Sequence, residues 1–358
     1  MIPGDGIGVE VTREAGKLID TLRAHAGLEA DVTLHDFGAD RYLRTKSAIT
    51  DVEMDALGRE HDAIFLGAIG DPRVPDNAHA RAILLGMRFR FDLFINLRPA
   101  RLFDARLSPL RNVGDGDIDM VLFRENTEGP YVGMGGSLRK GTADEIAIEE
   151  DIATRRGVER IIVAAFDFAR TTGRKRVTLT DKANAMPNVG GLWRRTFAEV
   201  GERYASIERE AIYADALALD MVRRPSRYDV IVAPNLLGDL LSDLAAALVG
   251  GLGLAPSANL HPGRPGLFEP VHGSAPDIAG TGRANPMAAM LTIGLLLSQT
   301  GHEALARRVE AAVEYALLEN RTTPDLGGSL STEQVGDFIC DAIASGAHSP
   351  ERDPGVGV

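Results

Sequence analysis

The sequence predicts an α/β protein, and two observations carry that prediction. Short β-branched or apolar runs at 62–68, 119–125, 176–183 and 228–235 alternate with longer amphipathic stretches. The 358 residues are 44% hydrophobic, enough to bury a sizeable core in one large or two interlocked domains. A net charge of −12 gives no general basic face for nucleic acid. The longest apolar runs, LAAALVGGLGLAP and MLTIGLLL, are shorter than the roughly 18 residues of a membrane span. Neither nucleic acid nor membrane is therefore expected as a partner. The lone cysteine, Cys340, rules out an intrachain disulfide framework and suits a reducing cytoplasm; it reads as a plain helix residue.

Taken in chain order, the opening MIPGDGIG alternates Gly4, Gly6 and Gly8 instead of spacing them as G-x-G-x-x-G, and no strand fits before it. A Rossmann turn needs both, so that fold is not predicted. DAIFLGA, DMVLFRE, RVTLTDKA and YDVIVAPN read as buried strands. The stretches 157–173, ending in Thr-Gly, and 236–251, ending in Gly-Gly, read as helices, and another is expected to start at Asn285-Pro286 as N-cap and first turn. Between 133 and 156 the helical period is lost and EIAIEED alternates, which predicts an extended arm or an exposed strand pair.

Four constellations can carry chemistry. Arg88, Arg98 and Arg124 lie in apolar or strand-like surroundings, where a buried guanidinium needs an anion. A di- or tricarboxylate is one such anion; internal salt bridges to Asp92, Glu125 or similar carboxylates are the plain alternative. Asp239 and Asp243, four apart at the start of a helix, share one face beside a leucine stripe. A hard divalent cation would relieve their repulsion, although acidic residues near a helix start are also commonplace. Asp215 is a possible third ligand. Lys182, at a strand end, is a candidate base if desolvated, and Tyr131 a candidate proton donor, against simple solvation or packing. Finally, the long Gly- and Pro-rich connection 267–286 exposes backbone N–H groups, as a phosphate or adenosine site requires.

Together, IPGDGIG, DLFINLRPARLF, VLFRENTEGPYVG, TDKAN, PNLLGDLLSDLAAALVGGLG and EPVHGSAPDIAGTGRANP resemble, in order, the β-decarboxylating dehydrogenases, the isocitrate/isopropylmalate dehydrogenase family. The resemblance runs from residue 2 to about residue 340. It implies two α/β domains sharing a continuous sheet, a cofactor-binding domain of 1–95 plus 250–358 and a substrate, metal and dimerisation domain of 96–249, whose arm at about 133–156 clasps a second subunit. Relatives carry about four more strand residues ahead of Ile2-Pro3, so the expectation is either a first strand cut short or a true start that lies upstream.

By the same resemblance, Arg88, Arg98 and Arg124 hold the malate carboxylates, and Asp239 and Asp243 bind Mg2+ or Mn2+ together with Asp215 of the second subunit. Lys182, also from that subunit, is the base and Tyr131 the acid. His272, Gly273, Ser274, Ala275, Asp277, Ile278 and Asn285 form the cofactor site. Asp277 lies where an acid meets the adenosine ribose, which implies NAD, since it would repel a 2′-phosphate. Leu84 and Leu85, just before the first arginine, offer an apolar surface for an alkyl group. The implied reaction is oxidative decarboxylation of a 3-substituted malate, with 3-isopropylmalate to 2-oxoisocaproate, a step of leucine biosynthesis, as first choice. Arg81 and the wording RENTEGPY leave tartrate, D-malate, homoisocitrate, isocitrate and other alkylmalates open. A non-catalytic regulatory subunit is the remaining alternative, although it would be expected to lose part of the catalytic set.

Overall fold

The structure, a computed structural model, describes residues 1–347. The chain divides into two compact units: one comprises residues up to Leu84, Leu252–Pro256 and the chain from Phe268 onward, the other Leu85–Gly251 and Ser257–Leu267. The sequence reading set these boundaries at 95/96 and 249/250. The first falls earlier because a short helix, 86–90, leads almost directly into a strand of the middle unit.

In the first unit, β1 (Ile2–Gly4) runs parallel to β2 (Ala63–Ala68), with Ile2 opposite Leu66. This is the short first strand that the resemblance implies, although local pattern alone does not reveal it. Three residues suffice because β2 supplies the hydrogen-bonding partner. The turn at 5–7 opens α1 (Gly8–Ala26), which closes on Gly27 in the left-handed conformation. Gly6 has φ 56°, and a Cβ there would sit 2.1 Å from the Ser274 carbonyl oxygen, so the turn requires glycine twice over. Next come α2 (Ala39–Thr45) and α3 (Asp51–Glu60), the latter held by a Thr50–Glu53 capping box. After β2, the chain passes through α4 (Ala78–Ala80) into a single π turn, Arg81–Leu85.

The middle unit begins with α5 (Gly86–Arg90), β3 (Ile95–Arg101) and β4 (Asp119–Glu125). The predicted arm is an exposed antiparallel hairpin of β5 (Gly135–Leu138) and β6 (Ile146–Glu149). There follow α6 (Arg155–Thr172), β7 (Arg176–Asp181), α7 (Pro187–Gly201), β8 (Glu208–Tyr213), α8 (Ala214–Arg223), β9 (Val230–Ala233) and α9 (Asn235–Leu248). With β10 (Pro256–Leu260), the strand order in this unit is β10-β3-β4-β9-β7-β8. The first two pairings are antiparallel and the rest parallel. Its core under β4 and β9 is built from Met120, Leu122, Ile231, Leu217, Met221, Leu241 and Ala245.

β11 (Gly266–Pro270) leads back into the first unit, where the order is β1-β2-β11. That unit is completed by α10 (Met287–Gln299), α11 (Glu303–Leu318) and α12 (Thr332–Ser345). The residue at the α10 cap is Pro286, one later than expected, but Asn285 still caps the helix: its Oδ1 accepts the Met287 N–H at 3.0 Å. Cys340 lies buried and free in α12. Among the described residues, no helix is long and apolar enough to cross a membrane.

Candidate active site

Strand registry places the site's first residues. Asn96 and Arg98 alternate on β3, so both point to one face, and Asn96 lies opposite Arg124 of the antiparallel β4. Helix α9 covers that face. Gly238 permits its close approach, since a Cβ there would stand 2.8 Å from Arg124 Cβ.

The arginines are then held from several sides. Arg98 donates to Asn96 Oδ1 at 2.7 Å, Ser242 Oγ at 2.6 Å and Asp243 Oδ1 at 3.1 Å, and reaches Asp239 Oδ1 at 3.2 Å. Arg124, only 2% exposed, donates through Nε to the carbonyl and side-chain oxygens of Asn235 and through a terminal nitrogen to Asp239 Oδ1. Tyr131 lies under the Arg124 guanidinium and donates to Asp239 Oδ2 at 2.7 Å. Arg88, buried on α5, adds its charge to the field acting on Asp239, Arg124 and Tyr131. Six of the predicted site residues thus form one constellation.

Internal bridges, the plain alternative posed by the sequence, do occur at Arg98 and Arg124, but not to Asp92 or Glu125. Asp92 pairs with Arg160 at 2.9 Å, and Glu125 accepts the N–H groups of Thr127 and Glu128. Arg98 and Arg124 bridge instead to the aspartates on α9.

Charge follows geometry here. Burial raises the Asp239 carboxyl, but Arg124, Arg98 and the Tyr131 hydroxyl outweigh it and hold the pKa below the usual range. Burial raises Asp243, and the like charge of Asp239 adds to this against the pull of Arg98. Burial, then the neighbouring charge of Arg98, lowers Arg124, with Asp239 opposing. The Arg98 and Arg124 guanidinium groups, here on carboxylates, have the geometry to take another carboxylate in exchange.

Lys182 and Asp215 form a pair of their own. The parallel β7–β8 pairing sets Asp181 opposite Tyr213, so the two strand ends bring Lys182 Nζ to 2.6 Å from Asp215 Oδ1. Hydrogen bonding to Lys182 holds the Asp215 carboxyl below its ordinary value. No cluster of three or more His, Cys, Asp or Glu suited to a metal occurs within the chain, among the described residues. Asp239 and Asp243 nevertheless offer the hard oxygen donors that Mg2+ or Mn2+ takes.

In the first unit, the loop between β11 and α10 carries the predicted cofactor residues. His272 Nε2 is buried without a protein partner, and burial lowers the ring's pKa. Asp277 is exposed and makes no ion pair among the described residues. Ala275 holds φ 39°, bending the loop so that its carbonyl accepts the Ile278 N–H. A Cβ at Gly273 would meet nothing within 4 Å. Ser274 receives the Ile7 N–H through its carbonyl, and Asn285 donates to Asp325 at 3.0 Å. A buried ring nitrogen without a protein partner and an exposed acid on the same loop fit a polar adenosine group. Leu84 and Leu85 lie half-buried in the π turn.

The supporting residues Asn96, Asn235 and Ser242 were not read from the sequence. Asn96 had a signal, two residues before Arg98 on the same strand face. Ser242 had none beyond its place one residue before Asp243.

Residues 1–339 match the isocitrate/isopropylmalate dehydrogenase family. The chain is 48% identical over 346 residues to a 3-isopropylmalate dehydrogenase of Corynebacterium diphtheriae, covering 96% of this chain and 98% of that one. A 3-isopropylmalate dehydrogenase of Thermobifida fusca is 44% identical over 346 residues, covering 96% and 97%. Among solved structures, the isocitrate dehydrogenase of Methylococcus capsulatus superposes with a TM-score of 0.87 at 35% identity, covering 96% of this chain and 98% of that one. The chain belongs to the isocitrate/isopropylmalate dehydrogenase family.

Proposed function

We propose that the protein is a 3-isopropylmalate dehydrogenase, dependent on NAD and a divalent metal, that acts as a cytoplasmic homodimer in leucine biosynthesis. The observation that carries this reading is the convergence of Arg88, Arg98 and Arg124 on Asp239, with the Tyr131 hydroxyl on the same carboxylate. The relatives named 3-isopropylmalate dehydrogenase support the choice of substrate, and so does the apolar Leu84-Leu85 pair.

The arginines would hold the two malate carboxylates, exchanging their bridges to Asp239 and Asp243 for substrate. The freed aspartates, with Asp215 of a second subunit, would hold Mg2+ or Mn2+. That ion, when bound, supplies a Lewis acid that acidifies the substrate hydroxyl and withdraws electrons during loss of CO2. NAD+, when bound, would supply the acceptor for the C2 hydride, and Lys182, from the second subunit, would take the hydroxyl proton. The C3–carboxylate bond then breaks, CO2 leaves, and Tyr131 would return a proton to C3, giving 2-oxoisocaproate. His272, Gly273, Ser274, Ala275, Asp277, Ile278 and Asn285 would bind the adenosine half, the Asp277 carboxylate accepting from the ribose hydroxyls.

Two features support the dimer. The hairpin exposes Met134, Leu138, Ile146 and Ile148, and α8 and α9 expose Leu219, Val222, Leu236 and Leu240, the last 63% accessible. Such apolar residues are more often covered than left in water. A substrate panel followed by NADH absorbance tests the assignment, with 3-isopropylmalate expected to outpace isocitrate, tartrate and D-malate.

A further inference from the structure

Asp5, in the glycine-rich opening turn, is buried and accepts three N–H donors. Its Oδ1 takes the Ala39 amide at 2.7 Å; its Oδ2 takes the Gly70 amide at 2.9 Å and faces His79 Nε2 at 2.8 Å. A carboxylate with two amide donors has only acceptor capacity left, so His79 carries its hydrogen on Nε2. The same turn bonds the loop at 274 through the Ile7 N–H. His79 is completely buried, and its Nδ1 has no partner.

The location of His79 gives this bond its significance. Between Val74 and Ile83, both buried, His79 is the one buried residue, and Asp76 and Asn77, just before it, both hold left-handed backbone (φ 54° and 49°) without being glycine. Such a segment keeps its path only where something over-determines it. Immediately after His79 the chain winds into the π turn that carries Leu84 and Leu85. Helical backbone rises about 1.5 Å per residue, so the anchor lies within roughly two turns of both leucines.

We infer that His79 is a positioning residue for substrate selection: by hydrogen bonding to Asp5, it fixes the start of the helical segment that presents Leu84 and Leu85. The inference rests on the proposed reading of those leucines as the surface that meets the substrate's alkyl group. His79 itself touches neither substrate nor cofactor in this account.

The test compares His79→Gln with His79→Asn in the purified enzyme. Glutamine carries an amide N–H to the position of Nε2, whereas asparagine reaches only as far as Nδ1 and leaves Asp5 one donor short. Initial rates are measured with 3-isopropylmalate, with D-malate, which lacks the alkyl group, and with varied NAD, alongside circular dichroism and melting. For H79N, the KM for 3-isopropylmalate should rise about tenfold, with kcat and the KM values for D-malate and NAD changed no more than about twofold. H79Q should restore the wild-type KM. Equal KM increases for both malates, no increase for either, or failure of H79Q to rescue would overturn the inference. Wild-type turnover of 3-isopropylmalate reports separately on the functional reading; its absence overturns both.

Discussion

Tyr131 donates its hydroxyl to Asp239 Oδ2 at 2.7 Å, while Arg124 occupies Oδ1 of the same carboxylate. The proposed proton donor and a proposed substrate-binding cation thus meet on the proposed metal ligand. Burial, followed by the bond to Asp239, raises the Tyr131 pKa, which keeps the phenol protonated at neutral pH.

If Tyr131 returns the proton to C3, Tyr131→Phe should lower kcat by about 10²- to 10³-fold and leave the KM for 3-isopropylmalate nearly unchanged. Steady-state kinetics check this. Equal loss in D-malate turnover would agree, because the proton goes to the same carbon.

The two aspartates on α9 should affect stability in opposite directions. Asp239 has a lowered pKa, so its ionised form stabilises the fold above its unfolded value, and that contribution is lost as pH falls through the lower folded value. Asp243 has a raised pKa, so its ionisation costs stability as pH rises from its unfolded value through the higher folded one. Without metal, Asp239→Asn should melt below wild type, and Asp243→Asn at or slightly above it, across about pH 5 to 8. Scanning calorimetry in chelator reads both. Mn2+ should raise the melting temperature of the wild type and of neither variant.

Helix α9 packs on β4 without room for a methyl group at Gly238, where a Cβ would lie 2.8 Å from both Cβ and Cγ of Arg124. Gly238→Ala should cost about 1–3 kcal/mol in urea unfolding, despite alanine's better helix propensity. It should also displace Arg124 and raise the KM for substrate.

Lys182 and Asp215 pair with each other, whereas Arg98 and Arg124 pair with Asp239. If they serve the partner's site, Lys182→Met and Asp239→Asn will each be inactive alone. Mixed and reassociated, they should recover on the order of a quarter of wild-type activity, because each mixed dimer holds one complete site. No recovery would place Lys182 in its own subunit's site or outside the chemistry.

Much of this arrangement was legible in local pattern. The 3.6-residue period joined Asp239 and Asp243, apolar runs located β2, β4, β7 and β9, and loss of period marked the hairpin. What escaped was either too short or too distant. A three-residue β1 has no period to detect; only β2 makes it a strand. The Asp5–His79 bond spans 74 residues, and nothing near either side chain in sequence announces it. The Arg98 bridge to Asp243 is likewise set by the stacking of a helix on a sheet. The leucine stripe of α9 reads as one apolar face, yet Leu241 is buried while Leu240 is exposed, because only part of the stripe meets this chain's own core.

The most direct test of the account is the initial rate of NADH formation by the wild-type enzyme with Mg2+ or Mn2+ and NAD, for 3-isopropylmalate against isocitrate, tartrate and D-malate. The account predicts the highest kcat/KM for 3-isopropylmalate, abolished by chelator and much lower with NADP. Faster turnover of any of the other three would contradict it.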